Sequence, residues 1–243
     1  MKITFNDAVD GDFTTKLIYF TALKQHALAQ AQTALREVYG DDLSLSLFDQ
    51  RVKGEIESVW ASILPDKRSD RGAEQYKKFH MEDRYLSSRL DEKWLFPENY
   101  ERETLERIWS HPYNYKPEGF EVAIWMGNEL CGVANGGHEK EYEHDFISVF
   151  VVEGSPYENH RLKGEIKKIV DVAASYYAQT LGVGRVAYFG PYSKGAEKKS
   201  KEMKLDFENI EINRIHARCY TRHILESAND IKGTSDFTIE IES

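Results

Sequence analysis

"FISVFVVEG" (residues 146–154), followed by "ENHRLKGEIKKIV" (158–170), decides how this chain reads. The first run is apolar almost throughout, and an apolar run of that length suits a strand covered on both faces. The second opens polar, carries one glycine among charges, and passes into the stripe Ile166, Ile169, Val170, Ala173, Tyr177 of an amphipathic helix. A strand, a glycine turn and a helix in that order present the first N–H groups of the helix, which carry partial positive charge and lack partners within it. Such an end suits an anion, and Gly164 lets the backbone approach one closely. Lys163, Lys167 and Lys168 add positive charge, whereas Glu165 is a competing anion in the first turn. The plainer account of the same residues is that Asn159 caps a helix, Glu165 complements its dipole and the lysines face solvent.

Working outward, "FEVAIWM", the turn Gly127-Asn128 and "ELCGVANGG" read as a hairpin that leads into the apolar strand. Downstream, Gly182 is the stop of the amphipathic helix and "RVAYFG" is the next strand. "SKGAEKKSKEMKLDF" is a shorter helix leading to Phe207, and "FENIEI" and "DFTIEIES" are the last two strands. At the other end, "MKITF" alternates like a short strand, and "TTKLIYFTALKQHALAQAQTALREVYG" is a long Ala/Leu-rich helix with Gly40 as its stop. Residues 51–115 hold further helical stretches, "RVKGEIESVWASIL" and "NYERETLERIWS", around a highly charged segment. The texture changes near Gly119. The expected fold class is therefore α/β (α+β): a mixed, largely antiparallel central sheet flanked by helices, with an enlarged helical N-terminal region. Residues 1–118 and 119–243 are expected to form one compact unit.

With 243 residues, 41% of them hydrophobic and 30% charged, the chain can bury a sizeable core. Its net charge of -9 disfavours a general grip on nucleic acid, although the lysines of "SKGAEKKSKEMK" leave a local patch open; alternating charge on a surface helix is the commoner origin of such a segment. No apolar run approaches the roughly 20 residues that span a bilayer, and "MKITFNDAVDGDF" lacks the order of a secretory signal. The expectation is no membrane partner and a cytoplasmic location. Cys131 and Cys219 form no C-x-x-C pair, which fits a reducing compartment. The eight histidines show no H-E-x-x-H or close Cys/His spacing, so no metal site is expected. Ser155, Ser193 and Ser200 lack a G-x-S-x-G context.

Residues 120–207 taken in order resemble the GNAT superfamily of acyl-CoA-dependent N-acyltransferases, as a divergent member. "FEVAIWMGNELCGVANG" looks like its central hairpin, "FISVFVVEG" like its cofactor strand, and "GAEKKSKEMKLDF" like the helix before its final Gly-Phe. The resemblance implies acetyl-CoA or another acyl-CoA as co-substrate, held by Val149, Val151 and Val152 of the cofactor strand. It also implies a pyrophosphate turn of the form Q/R-x-x-G-x-G/A, here Arg161, Lys163, Gly164 and Glu165, with Ile166 where the family keeps a small residue. The implied acceptor is an amine on a small molecule or a macromolecule. Acyl transfer needs a base for the attacking ammonium and an acid for the departing thiolate. The base candidates are Glu143 and Asp145, with Glu141 and His144 beside them in "EKEYEHDF". The family's usual tyrosine has no counterpart around Ser200, Glu202 and Met203, and Tyr192 is the substitute acid. The altered turn and the missing tyrosine equally suit a binding or regulatory protein on the same fold, without catalysis. A third reading has residues 51–115 docking a protein or nucleic acid substrate.

Overall fold

The computed structural model describes residues 2–60, 117–141, 144–157, 159–189, 194–212, 215–224 and 237–240. Strand β1 (Lys2–Ile3) leads into α1 (Phe5–Asp10), where Thr4 and Asp7 close a capping box. Asp12 caps α2 (Phe13–Tyr39) by accepting from the Thr15 N–H, and Gly40 ends it at φ 85°. Strand β2 (Leu43–Ser46) follows, then α3 (Gln50–Gly54), which widens into a π-helical turn at Glu55–Trp60. After β3 (Glu121–Met126), β4 (Glu129–Glu141) and β5 (His144–Gly154) come α4 (Ile166–Leu181), β6 (Arg185–Phe189) and α5 (Lys194–Glu202). Strands β7 (Asp206–Ile212), β8 (Ile215–His223) and β9 (Ile239–Glu240) complete the described elements.

Seven strands form one sheet in the order β2-β3-β4-β5-β6-β8-β7, antiparallel everywhere except between β5 and β6. The fold is thus a mixed, largely antiparallel α/β sheet flanked by helices, as expected. Helix α2 packs against α4 on one face, burying Leu23, Ala27 and Ala31 with Ile169, Ala173 and Tyr177. Each fully buried Leu or Ile there contributes about 1.5–3 kcal/mol. On the other face Phe48, Val52, Ile56 and Trp60 cover Ala123, Trp125, Leu130 and Val133. A polar pair lies with the core here: Lys24 of α2 bonds Glu121 of β3 at 3.0 Å. Strands β1 and β9 pair with each other as a small separate ladder.

Two expectations need correction. Asn159 is not the cap: the N-cap position of α4 is Glu165, six residues later, with no side-chain cap bond. The end of the chain holds an additional strand, β8, which lies between β6 and β7. Helix α5 leads to Phe207 as read, with Lys204 as its left-handed stop at φ 55° and Leu205, 7% exposed, as the buried residue between them. Lys198 and Lys201 of α5 lie on the expected solvated face, with Lys201 pairing Glu197 at 2.7 Å. The stretch "NYERETLERIWS" lies outside the described residues.

A forked strand pair and its glycine turn

Among the described residues, strands β5 and β6 share three residue pairs, Ile147 with Val186, Ser148 with Ala187 and Val149 with Tyr188. Beyond Val149, β5 runs on for five residues paired with β4 alone among the described residues. The two parallel strands therefore fork at Val149 and Tyr188. A bulge marks the same place: Asn135 pairs with Val151 and Gly136 with Val149, so Phe150 is the extra residue on β5. Only glycine serves opposite it, because a Cβ on Gly136 would stand 1.6 Å from the Ser148 carbonyl oxygen. Beyond the fork alternate residues of β5 point their N–H and C=O groups away from β4, and polar backbone groups on such an edge need acceptors and donors.

The turn that closes the open end is built from His160 to Glu165. The Lys163 N–H donates to the His160 carbonyl at 3.1 Å and the Glu165 N–H to that of Leu162 at 2.9 Å. Gly164 sits at φ 83°, and a Cβ there would meet nothing within 4 Å. The N–H groups of Gly164, Ile166 and Lys167 have no backbone acceptor among the described residues. His160 is buried and its Nδ1 lacks a hydrogen-bond partner among them; burial lowers its pKa and keeps it neutral.

The two residues that weighed against an anion site are placed elsewhere. The Glu165 carboxylate accepts from Lys168 at 2.8 Å and from the Tyr39 hydroxyl at 2.9 Å, with Lys199 at 3.8 Å. Lys168 holds its pKa below the ordinary carboxylate value, and burial pushes the Tyr39 hydroxyl up to about 12. Ile166 is directed into the core: a Cβ on Gly132 would come within 2.7 Å of its Cγ2, and one on Gly154 within 3.7 Å of its Cγ1. The clearance that a small residue would give inside the turn is supplied by these two glycines on β4 and β5.

Around the fork stand two polar clusters. On the β4 side, Glu139 accepts from the Ser148 hydroxyl at 3.1 Å, and a Cβ on Gly137 would meet Glu139 Oε1 at 2.5 Å and the Phe150 ring at 3.3 Å. On the helix side, the Lys167 ammonium donates to the Ser200 hydroxyl of α5 and lies 5.1 Å from the centre of the Tyr188 ring. Burial lowers the Lys167 pKa to about 8. The Tyr188 hydroxyl donates to Asp171 at 2.8 Å, and Arg222 of β8 pairs with the second oxygen of that carboxylate.

Of the residues singled out in the sequence, Val149 lies at the fork, Val151 and Val152 on the open edge, and Lys163, Gly164 and Glu165 in the turn. Arg161 pairs with Asp42 at 2.9 Å, both exposed. Asp145 bonds His138 at 2.5 Å near the start of β5, four residues before the fork. Glu143 and Tyr192 lie outside the described residues. Sequence reasoning missed Glu139, Lys167 as a partly buried group, and its partner Ser200. The period of α4 could have found Lys167, which stands four residues before the buried Asp171.

The sequence matches no protein-family profile and no curated protein. It is similar to several solved structures. One is an aminoglycoside acetyltransferase in complex with coenzyme A, at 10% identity and TM-score 0.43 over 74% of this chain and 94% of that one. Another is an acetyl transferase from Salmonella typhimurium that modifies the N-terminal serine of a 50S ribosomal subunit protein, at 14% identity and TM-score 0.42 over 75% and 95%. A third is the PaiA N-acetyltransferase from Thermoplasma acidophilum in complex with coenzyme A, at 10% identity and TM-score 0.38 over 74% and 98%. These three solved structures are acetyltransferases.

Proposed function

We propose that the protein is an acyl-CoA-dependent N-acyltransferase, taking an acetyl or other acyl group from acyl-CoA to an amine of an acceptor. The observation that carries this reading is the fork between β5 and β6 with a positive-φ glycine turn at its open end. An acyl-CoA has an anionic pyrophosphate at one end and an amide-bearing arm leading to the thioester. The turn offers the N–H groups of Gly164, Ile166 and Lys167 to the first, and the edge of β5 from Val151 to Gly154 offers a strand-like ladder to the second. Lys163 adds charge to the turn, while Glu165 supports it from outside, tied to Tyr39 and Lys168.

The chain's own residues then have the following roles in this reading. The turn and edge bind and orient the donor. Glu139 is the carboxylate beside the bulge at Phe150, and it takes the proton released by the attacking amine, directly or through a water. Asp145 is the alternative base, its position fixed by His138. Tyr192 and Glu143 remain sequence-level candidates for acid and base. Residues 51–115 are proposed as a wall or lid for the acceptor, carried as one compact unit with the acyl-CoA-binding core at 119–243. The acceptor class, small molecule or macromolecule, and the cytoplasmic setting belong to the same reading.

Calorimetric titration with acetyl-CoA tests it. Binding with thermal stabilisation is expected; absence of both at millimolar ligand would remove the reading. Labelled acetyl-CoA incubated with an amine panel then identifies products by mass.

A further inference from the structure

The glycine turn is held from outside by an element far away in sequence. Helix α2 ends at Tyr39, where Gly40 takes φ 85° and donates its N–H to the Arg36 carbonyl at 2.9 Å. Residues on either side of that stop reach the two ends of the turn: the Tyr39 hydroxyl donates to Glu165 at 2.9 Å, and Asp42 accepts from Arg161 at 2.9 Å. Neither depends on the turn for its place. Helix α2 packs along α4, the Arg36 Nε donates to the Leu43 carbonyl at 3.0 Å, and the Gly127 N–H of the β3–β4 hairpin donates to the Asp42 carbonyl at 2.8 Å. The end of α2 is therefore a fixed post beside the turn.

The post restrains a carboxylate. Glu165 occupies the N-cap position of α4, from which a side-chain oxygen ordinarily accepts from N–H groups of the first turn, yet it makes no such bond. Its oxygens instead accept from Tyr39 and from Lys168 at 2.8 and 3.1 Å, with Lys199 of α5 at 3.8 Å. These holders are unequal. The Lys168 side chain is 45% exposed, and ion pairs in water hold weakly. Tyr39 packs against the core, and burial, followed by the neighbouring carboxylate, pushes its hydroxyl up to about 12, so it stays a donor at neutral pH. Once released, the Glu165 carboxylate would face the N–H groups of Gly164, Ile166 and Lys167, which have no backbone acceptor among the described residues. Those are the groups that the acyltransferase reading offers to the pyrophosphate. We propose that Tyr39 is a positioning residue of the donor site: by holding Glu165 off the first turn of α4, it keeps those N–H groups open to the anion. The inference rests on the acyltransferase reading, and adds to it a competing anion within the chain and the N-terminal helix that restrains it.

Calorimetric titration with coenzyme A, run on the wild type, Tyr39→Phe, Glu165→Gln and the double variant, tests this. Tyr39→Phe removes the hydroxyl and frees the carboxylate, so affinity should fall about fivefold or more, in keeping with a lost hydrogen bond to a charged group. Glu165→Gln removes the competing charge and should bind coenzyme A at least as tightly as the wild type. In the double variant the effect of Tyr39→Phe should shrink to less than about twofold, because no anion remains to be restrained. A tyrosine with a merely structural role would weaken binding equally in both backgrounds; that result overturns the proposal, and so does unchanged affinity in Tyr39→Phe alone. Glu165→Gln gives an arm that does not depend on how Tyr39→Phe folds. If that variant folds and loses affinity, the carboxylate serves the site rather than competing for it, and the proposal falls while the acyl-CoA site stands. If the wild type binds no coenzyme A at all, the acyltransferase reading falls and this inference falls with it.

Discussion

Replacing Gly164 by alanine separates two properties of the turn. The residue sits at φ 83°, in the left-handed region, and nothing lies within 4 Å of the position a Cβ would take. The methyl group therefore clashes with no neighbour, and the whole cost to folding is the backbone preference, about 1–2 kcal/mol. For a chain of this size that lowers the melting temperature by about 2–8 °C. The same open space is where a pyrophosphate would approach the N–H groups, so the methyl should weaken acetyl-CoA binding by at least about tenfold, or 1.4 kcal/mol. Differential scanning calorimetry reads the first effect and isothermal titration the second. Gly164→Val, with a β-branched side chain at positive φ, should enlarge both and abolish binding. A melting temperature lowered as expected with unchanged acetyl-CoA affinity would take the turn out of the donor site. An unchanged melting temperature would refute the conformational argument itself.

The opposite substitution, Lys204→Gly, should stabilise by up to about 1 kcal/mol, because it relieves a left-handed lysine at the end of α5; urea denaturation checks this. Gly132→Ala should destabilise by about 1–3 kcal/mol through overpacking against Ile166, and Ile166→Ala in the same chain should recover part of it, which a double-mutant cycle measures. Lys24→Met should cost about 3–5 kcal/mol by leaving Glu121 buried without its partner, and adding Glu121→Leu should restore most of that. Its bond to Lys168 holds the Glu165 carboxyl below the ordinary carboxylate range in the folded chain, so the pairing stabilises above the unfolded pKa and is lost as pH falls through the folded one. Glu165→Gln should flatten that acid limb by less than about 1 kcal/mol, since its lysine partner is largely exposed.

The legible parts of the fold were those written in local pattern. Gly127-Asn128 between two apolar runs gave the hairpin, the stripe Ile166-Ile169-Val170-Ala173-Tyr177 gave α4, and Gly40 and Gly182 marked helix ends at positive φ. Strand β8 escaped because "IHARCYTRH" breaks the apolar alternation of a half-buried strand, and its position is set by distant β6 and β7. Strand β2 is only four residues and draws its identity from pairing with β3. At the site, Gly164 could be read from sequence because positive φ is a local demand. The burial of Ile166 against Gly132 and Gly154 could not, since it joins residues 12 to 34 positions apart. The Lys167–Ser200 contact likewise joins residues 33 positions apart.

Three rungs hold the four strands β2 to β5 to the three strands β6, β8 and β7. The sheet is in effect two leaves on a short spine, with α4 lying across the joint. A molecule seated along the open edge of β5 would lengthen that spine, so occupancy and cohesion become one quantity. At a hundred times its dissociation constant, such a molecule adds about 2.7 kcal/mol to folding. Loss of the donor would then loosen the joint first, and amide exchange from Val151 to Gly154 would report, residue by residue, whether the leaves are clasped.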